Sequence, residues 1–120
     1  MELKNILSVP KQNCLSHKIG LEAELCVLND LKSRGYNLWY QRLETPFAEV
    51  DLVFESPKGG LGIVEVKSLG PNSWMEGRIS KRQIQRLTRA AEFLSIKSNK
   101  PVSLCVAFVS AGKIQYLPIE

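Results

Sequence analysis

Apolar and polar residues alternate with two different periods along the chain, and the first four predicted elements follow from that pattern. Apolar residues recur at near-helical spacing from about Ser16 to Arg34, which predicts a helix. Residues 36–44 and 48–55 are rich in aromatic and branched side chains and predict two strands. The turn-forming residues 56–60 then connect the second strand to a third, 61–69, so these two strands are expected to form a hairpin.

The second half of the chain repeats the change of period. Residues 79–95 predict a second helix with one apolar face, and the apolar run 102–109 predicts a fourth strand. A turn at Ala111 and Gly112 leads into a fifth strand at 113–119. The order α-β-β-β-α-β-β predicts an α/β domain in which helices cover a sheet.

Composition favours a single domain that spans residues 1–120. Residues 1–15 are expected to form a polar, mobile lead segment. The apolar share of 44% and the charged share of 23% are those of an ordinary globular protein, and 120 residues are too few for two separate cores. No apolar run approaches the roughly 20 residues that a membrane helix needs. The three cysteines are widely spaced among apolar residues, which favours reduced thiols and a cytoplasmic location, with no membrane partner.

The kind of metal site is limited by the ligands that the chain offers. His17 is the single histidine and no cysteines are paired in sequence, so a metal would be held mainly by oxygen. The net charge of +4 is unevenly distributed, because residues 78–100 carry seven basic side chains against Glu92 alone. Positive charge is therefore concentrated in the segment of the second helix.

Charged residues on the second and third strands require compensation. Strand alternation places Glu49 with Asp51 on one side of the second strand, and Glu65 with Lys67 on one side of the third. The opposite side of the second strand is predicted to carry Val50, Leu52 and Phe54. Two carboxylates about 4 Å apart repel by roughly 4 kcal/mol at an effective dielectric constant near 20. Either Mg²⁺ offsets this repulsion, or Lys67 simply pairs with Glu65 or Asp51 on a solvated face.

Two helix residues add to this group. Glu24 lies on or beside the apolar stripe of the first helix, where a carboxylate needs a partner near the sheet or must reach water at the helix border. Gln83 falls on the inward side of the second helix, although it could also be an ordinary residue of the first turn. The opposite face of that helix carries Arg78, Arg82, Arg86 and Arg89.

These residues occur in motifs that identify a family resemblance. The motifs comprise Gly20, Ala23 and Glu24, then Phe47, Glu49, Val50, Asp51 and Leu52, then Glu65, Val66 and Lys67, and finally Arg86, Leu87, Ala90 and Ala91. Over roughly residues 17–110 the chain resembles the YraN-like family of uncharacterised bacterial proteins. That family is similar to Holliday-junction resolvases within the PD-(D/E)XK superfamily, which implies a restriction-endonuclease-like core with a central mixed sheet flanked by helices.

The resemblance also implies a catalytic site. Asp51 and Glu65 would ligate Mg²⁺ or Mn²⁺, with the Val66 carbonyl as a further ligand, and Lys67 would position or activate the attacking water. Glu24 would complete the site from the first helix. Gln83 is grouped with the site, at a position where the family commonly has a basic residue, and Ala48 stands where it commonly has glycine.

The expected function is metal-dependent hydrolysis of phosphodiester bonds in DNA, with structured or branched DNA as a candidate substrate. The superfamily implies a homodimer. The nucleic acid would contact the basic side chains Arg78, Lys81, Arg82, Arg86 and Arg89. In the loop 68–77, Trp74 could stack on a base or close the core. Two alternatives remain open, a non-catalytic nucleic-acid-binding module that retains the nuclease fold and a protein-interaction domain with a solvated basic helix.

Overall fold

The fold consists of two α-helices and five β-strands in the residues that the computed structural model describes, 15–70 and 78–119. In chain order they are α1 (Leu15–Ser33), β1 (Asn37–Glu44), β2 (Glu49–Glu55), β3 (Leu61–Ser68), α2 (Lys81–Ser98), β4 (Val102–Ser110) and β5 (Lys113–Ile119). This is the predicted order α-β-β-β-α-β-β. Neither helix is long and apolar enough to cross a membrane within these ranges.

The five strands form one mixed sheet in the order β1-β2-β3-β4-β5. β3 and β4 are parallel, and the other neighbouring pairs are antiparallel. A parallel pair needs a crossover connection, which α2 provides between β3 and β4. The predicted mixed sheet and the predicted hairpin of the second and third strands are both confirmed.

Each helix covers one face of the sheet with an apolar stripe. The α1-side core joins that helix to strand residues such as Leu52, Phe54 and Val64. The α2-side core joins the buried Leu87 and Leu94 to residues of β1, β2, β3 and β4. The site described below lies between these two cores, where side chains from both helices reach the sheet.

Capping and turn contacts explain where the elements differ from the predicted bounds. Ser80 caps α2 because its hydroxyl accepts a hydrogen bond from the Gln83 N–H at 3.1 Å. Asn99 ends the helix in a left-handed conformation, so α2 continues beyond the predicted end at Ser95. The hydroxyl of Thr45 accepts from the Ala48 N–H at 3.0 Å, and this turn delays the start of β2 to Glu49.

The regular alternation of side chains is interrupted on both β1 and β2 at the same level. Tyr40 and Leu43 are three residues apart yet both pack in the α2-side core. Val50 also packs in the α2-side core, whereas Leu52, two residues later, packs on the α1 side. The prediction that Val50 shares a face with Leu52 was therefore wrong, because alternation is broken here, next to Arg42, whose φ of 53° departs from strand geometry. The register shift between β1 and β2 lies elsewhere, between Leu38 and Tyr40.

Candidate functional site

The site begins where the ladder between β2 and β3 ends. Backbone pairing of these strands runs from Glu55 opposite Leu61 to Leu52 opposite Val64 and is not continued beyond. The next residue of β2, Asp51, accepts a hydrogen bond from the Val66 N–H through its Oδ2 at 2.8 Å. Since the N–H and C=O of one strand residue face the same neighbouring strand, the Val66 carbonyl faces the same gap. A carboxylate and a backbone carbonyl are thus directed into one opening of the sheet.

Glu65 lies beside this opening and is 7% exposed. Its Oε2 accepts a hydrogen bond from the Gln83 side-chain amide at 2.9 Å and lies 3.5 Å from the ammonium nitrogen of Lys67. Its Oε1 is buried and faces no hydrogen-bond donor in the part of the chain that the structure describes. The prediction that Gln83 faces inward and the prediction that Lys67 shares a face with Glu65 are both confirmed.

Asp51 and Glu65 lie within hydrogen-bond reach of one another. Burial raises the pKa of both carboxyl groups, and burial together with the Asp51 charge raises the pKa of Glu65 to about 8. Because ionised carboxylates are only acceptors, the two groups can be joined by a shared proton or by a cation. A cation that bound to this pair would therefore compete with a proton.

Glu24 approaches from α1 and has two partners on β1. Its Oε1 lies 2.9 Å from Nη2 of Arg42 and accepts a longer hydrogen bond from the Gln41 side-chain amide at 3.4 Å. Burial raises the pKa of Glu24, while the Arg42 charge opposes that rise. The prediction that Glu24 finds a partner near the sheet is confirmed, and that partner, Arg42, was not among the predicted site residues.

Arg42 has an unusual backbone for a strand residue, with φ at 53°. A left-handed conformation costs a non-glycine residue about 1–2 kcal/mol. It allows the consecutive residues Gln41 and Arg42 to reach the same carboxylate, although neighbouring strand residues normally point to opposite faces. The available sequence signal was the polar pair Gln41 and Arg42 between apolar strand residues, and Gln41 is 7% exposed.

The donor set fits a small divalent cation. Among residues 15–70 and 78–119, no three His, Cys, Asp or Glu side chains are grouped closely enough to hold a metal. Two carboxylates and a backbone oxygen are nevertheless sufficient for Mg²⁺, which keeps several waters and is commonly bound by one or two carboxylates. The buried Oε1 of Glu65, which has no donor in those residues, supplies the independent indication that a ligand belongs here.

The basic side chains of the predicted nucleic-acid surface are all exposed. They are Arg78, Lys81, Arg82, Arg86 and Arg89, which we call the basic surface. Arg78 also donates a hydrogen bond to the Ser68 carbonyl at 3.3 Å, which places it near the end of β3. Trp74 of the loop 68–77 lies outside the described residues.

Comparison with known proteins gives a consistent family relationship. The profile of the uncharacterised protein family UPF0102 matches residues 23–109, which include every side chain of the site described above. A UPF0102 protein of Parvibaculum lavamentivorans is 35% identical over 85 residues, 71% of this chain and 63% of the relative. A UPF0102 protein of Thermus thermophilus is 32% identical over 108 residues, 84% of this chain and 95% of the relative. One from Campylobacter hominis is 25% identical over 104 residues, 87% of this chain and 92% of the relative.

Proposed function

This chain belongs to the uncharacterised protein family UPF0102, the YraN-like family, and from that premise we propose that it is a metal-dependent endonuclease hydrolysing phosphodiester bonds in DNA. Family membership supplies no activity, so the proposal depends on the site. The observation that carries it is the buried Oε1 of Glu65, which has no hydrogen-bond donor in the described part of the chain, next to the Asp51 carboxylate. This arrangement is costly unless a cation or proton occupies it.

In this proposal Asp51, Glu65 and the Val66 carbonyl hold Mg²⁺ or Mn²⁺. The bound ion would neutralise charge on the phosphate and lower the pKa of water. Gln83 fixes the orientation of Glu65 by occupying Oε2, which leaves Oε1 available to a ligand.

Lys67 carries the positive charge nearest to Glu65, and its side chain is 22% exposed. Its ammonium group can therefore contact both the carboxylate and a solvent-side group such as the attacking water or a phosphate oxygen. Glu24 lies on the other side of Asp51 and adds a further negative charge to the site.

DNA is the proposed partner because the basic surface begins near the end of the strand that carries Glu65 and Lys67. Its guanidinium and ammonium groups can contact phosphates along a duplex regardless of sequence. Preference for structured or branched DNA and action as a homodimer are further parts of the proposal, which rest on the superfamily resemblance.

The test is a cleavage panel of single-stranded, duplex, flap and four-way-junction DNA with Mg²⁺, Mn²⁺ or EDTA. We expect cleavage with the metals only, and a loss of orders of magnitude in Asp51→Asn, Glu65→Gln and Lys67→Ala. The matched control is Glu55→Gln, because Glu55 is also on β2 but pairs with Lys100 at 3.4 Å.

Melting temperatures of the same preparations separate a metal site from an ion pair. In a metal site, Asp51→Asn relieves repulsion in EDTA at a pH above about 8, keeps an oxygen to accept the Val66 N–H, and loses the stabilisation by Mn²⁺. If Asp51 serves mainly as a partner of Lys67, the variant is less stable and shows no effect specific to metal. Metal-independent, salt-sensitive DNA binding without cleavage would instead favour the non-catalytic binding module.

A further inference from the structure

Arg42 contributes more hydrogen-bonding capacity to the site than its visible partner uses. Its Nη2 contacts Glu24 at 2.9 Å, whereas its Nη1 is buried and makes no hydrogen bond to any described residue. A guanidinium group carries five N–H donors in a planar fork, which matches two oxygens of one phosphate or carboxylate. The Nη1 donors of Arg42 can therefore bind a group that is not among the described residues.

The position of Arg42 relates this unused donor to the carboxylate pair. In the register of β1 and β2, Gln41 is opposite Leu52 and Leu43 is opposite Val50, so Arg42 lies across from Asp51. The charge of Arg42 is close enough to lower the pKa of Asp51. Lys67 lies on the other side of the pair, against Glu65. The two carboxylates thus have one cationic side chain on the β1 side and another on β3.

A purely structural ion pair does not account for the backbone of Arg42. Glu24 already receives a hydrogen bond from Gln41, and it could be paired by a residue with ordinary strand geometry. Residues held in unfavourable backbone regions persist where the surrounding structure fixes them, and they cluster at ligand sites. Arg42 adopts its left-handed φ of 53° at the position across from Asp51, and its side chain remains 15% exposed.

We propose that Arg42 binds a non-bridging phosphate oxygen of the nucleic-acid substrate next to the Asp51 and Glu65 pair. The proposal rests on the proposed function, since it assigns the phosphate contact of that same site. Glu24 then acts as a positioning residue that holds Nη2 of the guanidinium group, while the buried Nη1 becomes accessible to the phosphate when the substrate binds.

The test measures binding and does not depend on cleavage. Fluorescence anisotropy of a labelled DNA duplex in EDTA, from 50 to 200 mM KCl, gives the affinity and its log–log salt slope. For Arg42→Gln we expect an affinity about tenfold weaker and a slope smaller in magnitude by about 0.9, the value for one lost phosphate contact. The control is Arg34→Gln, because Arg34, just beyond the end of α1, is 61% exposed and pairs with Asp30, and this variant should bind like the wild type.

Glu24→Gln distinguishes a phosphate contact from a structural role by the direction in which it changes the DNA affinity. If Arg42 contacts phosphate, Glu24→Gln binds DNA more tightly, because the glutamine oxygen still accepts from Nη2 of Arg42 while the negative charge that opposes the phosphate is gone. If the ion pair of Arg42 and Glu24 only stabilises the fold, both Arg42→Gln and Glu24→Gln weaken DNA binding, and both lower the melting temperature. Should Arg42→Gln not fold, Arg42→Lys replaces it, with an expected loss of about threefold in affinity and an unchanged slope. Wild-type affinity in a folded Arg42→Lys would overturn the proposal in that case.

The outcomes separate this proposal from the proposed function. A wild type that never cleaves but shows the Arg42-dependent slope would reject the nuclease and support the phosphate contact. A wild type that cleaves while folded Arg42→Gln keeps the wild-type slope would reject the phosphate contact alone. Absence of salt-sensitive DNA binding in the wild type would also overturn it.

Discussion

Glu65→Gln should change the pH dependence of stability in the metal-free protein. The carboxyl group of Glu65 is buried, and burial and the neighbouring Asp51 charge raise its pKa to about 8 from an ordinary 4.5. A glutamine at this position has the shape of the protonated acid, and its NH₂ group can donate to Asp51 as the shared proton does. It cannot lose that donor as the pH rises.

The sign and size of the effect follow from proton linkage. Between pH 4.5 and 8 the unfolded chain has released the Glu65 proton while the folded chain retains it, so stability is highest at the acidic end and falls as pH rises. A single group changes the free energy of unfolding by at most about 1.4 kcal/mol per pH unit. Between pH 5 and 8 this gives an upper limit of about 4 kcal/mol. Glu65→Gln removes this loss and should be more stable than the wild type at pH 8.

Urea denaturation in EDTA at pH 5, 6, 7 and 8 measures the difference between wild type and variant directly. Glu55→Gln serves as the control, because its carboxylate pairs with Lys100 away from the site. Adding Mn²⁺ should stabilise the wild type most at pH 8, where within this range the ion competes least with a proton, and should have little effect on Glu65→Gln. Two results would show that Glu65 does not hold a proton in the folded state. In one, the wild type and Glu65→Gln differ in free energy of unfolding by the same amount at every pH, and in the other, the wild type gains stability relative to the variant as the pH rises.

Three further results are expected. Neutralising Arg82 and Arg86 to glutamine should reduce the magnitude of the DNA-binding salt slope by about 1.8, whereas an unchanged slope means the basic surface is only solvated. Arg42→Gly should be about 1 kcal/mol more stable than Arg42→Ala in urea denaturation, because glycine adopts the φ of 53° without strain, and equal stabilities would argue against that backbone. Leu94→Ala should cost about 2–5 kcal/mol in the same assay, against less than about 0.5 kcal/mol for Ile96→Ala, since Leu94 is fully buried and Ile96 is 79% exposed. Similar losses at both positions would contradict the packing of α2.

The sequence predicted those parts of the site that regular periodicity determines. On β3 strict alternation placed Glu65 and Lys67 together, and on α2 the helical period directed Gln83 inward. Arg42 could not be found in this way, because its position depends on an interruption of β1 opposite Asp51. Such an interruption is decided by contacts between distant segments, above all with Glu24 of α1, and no local pattern encodes them.

The strand order of the sheet has a consequence for how the protein folds. Every strand pairs with the strand before it in the chain, so the hairpin carrying Asp51 and Glu65 closes only the short turn at residues 56–60. Pairing β3 with β4 must instead close residues 69–101, at a larger loss of chain entropy. We therefore expect the carboxylates to meet before the parallel pair forms, and at a pH above about 8, where Glu65 is ionised, their repulsion should be present in the folding transition state. In stopped-flow experiments without metal, Asp51→Asn should accelerate refolding and leave the unfolding rate nearly unchanged, whereas an effect confined to unfolding would mean that the pair assembles last.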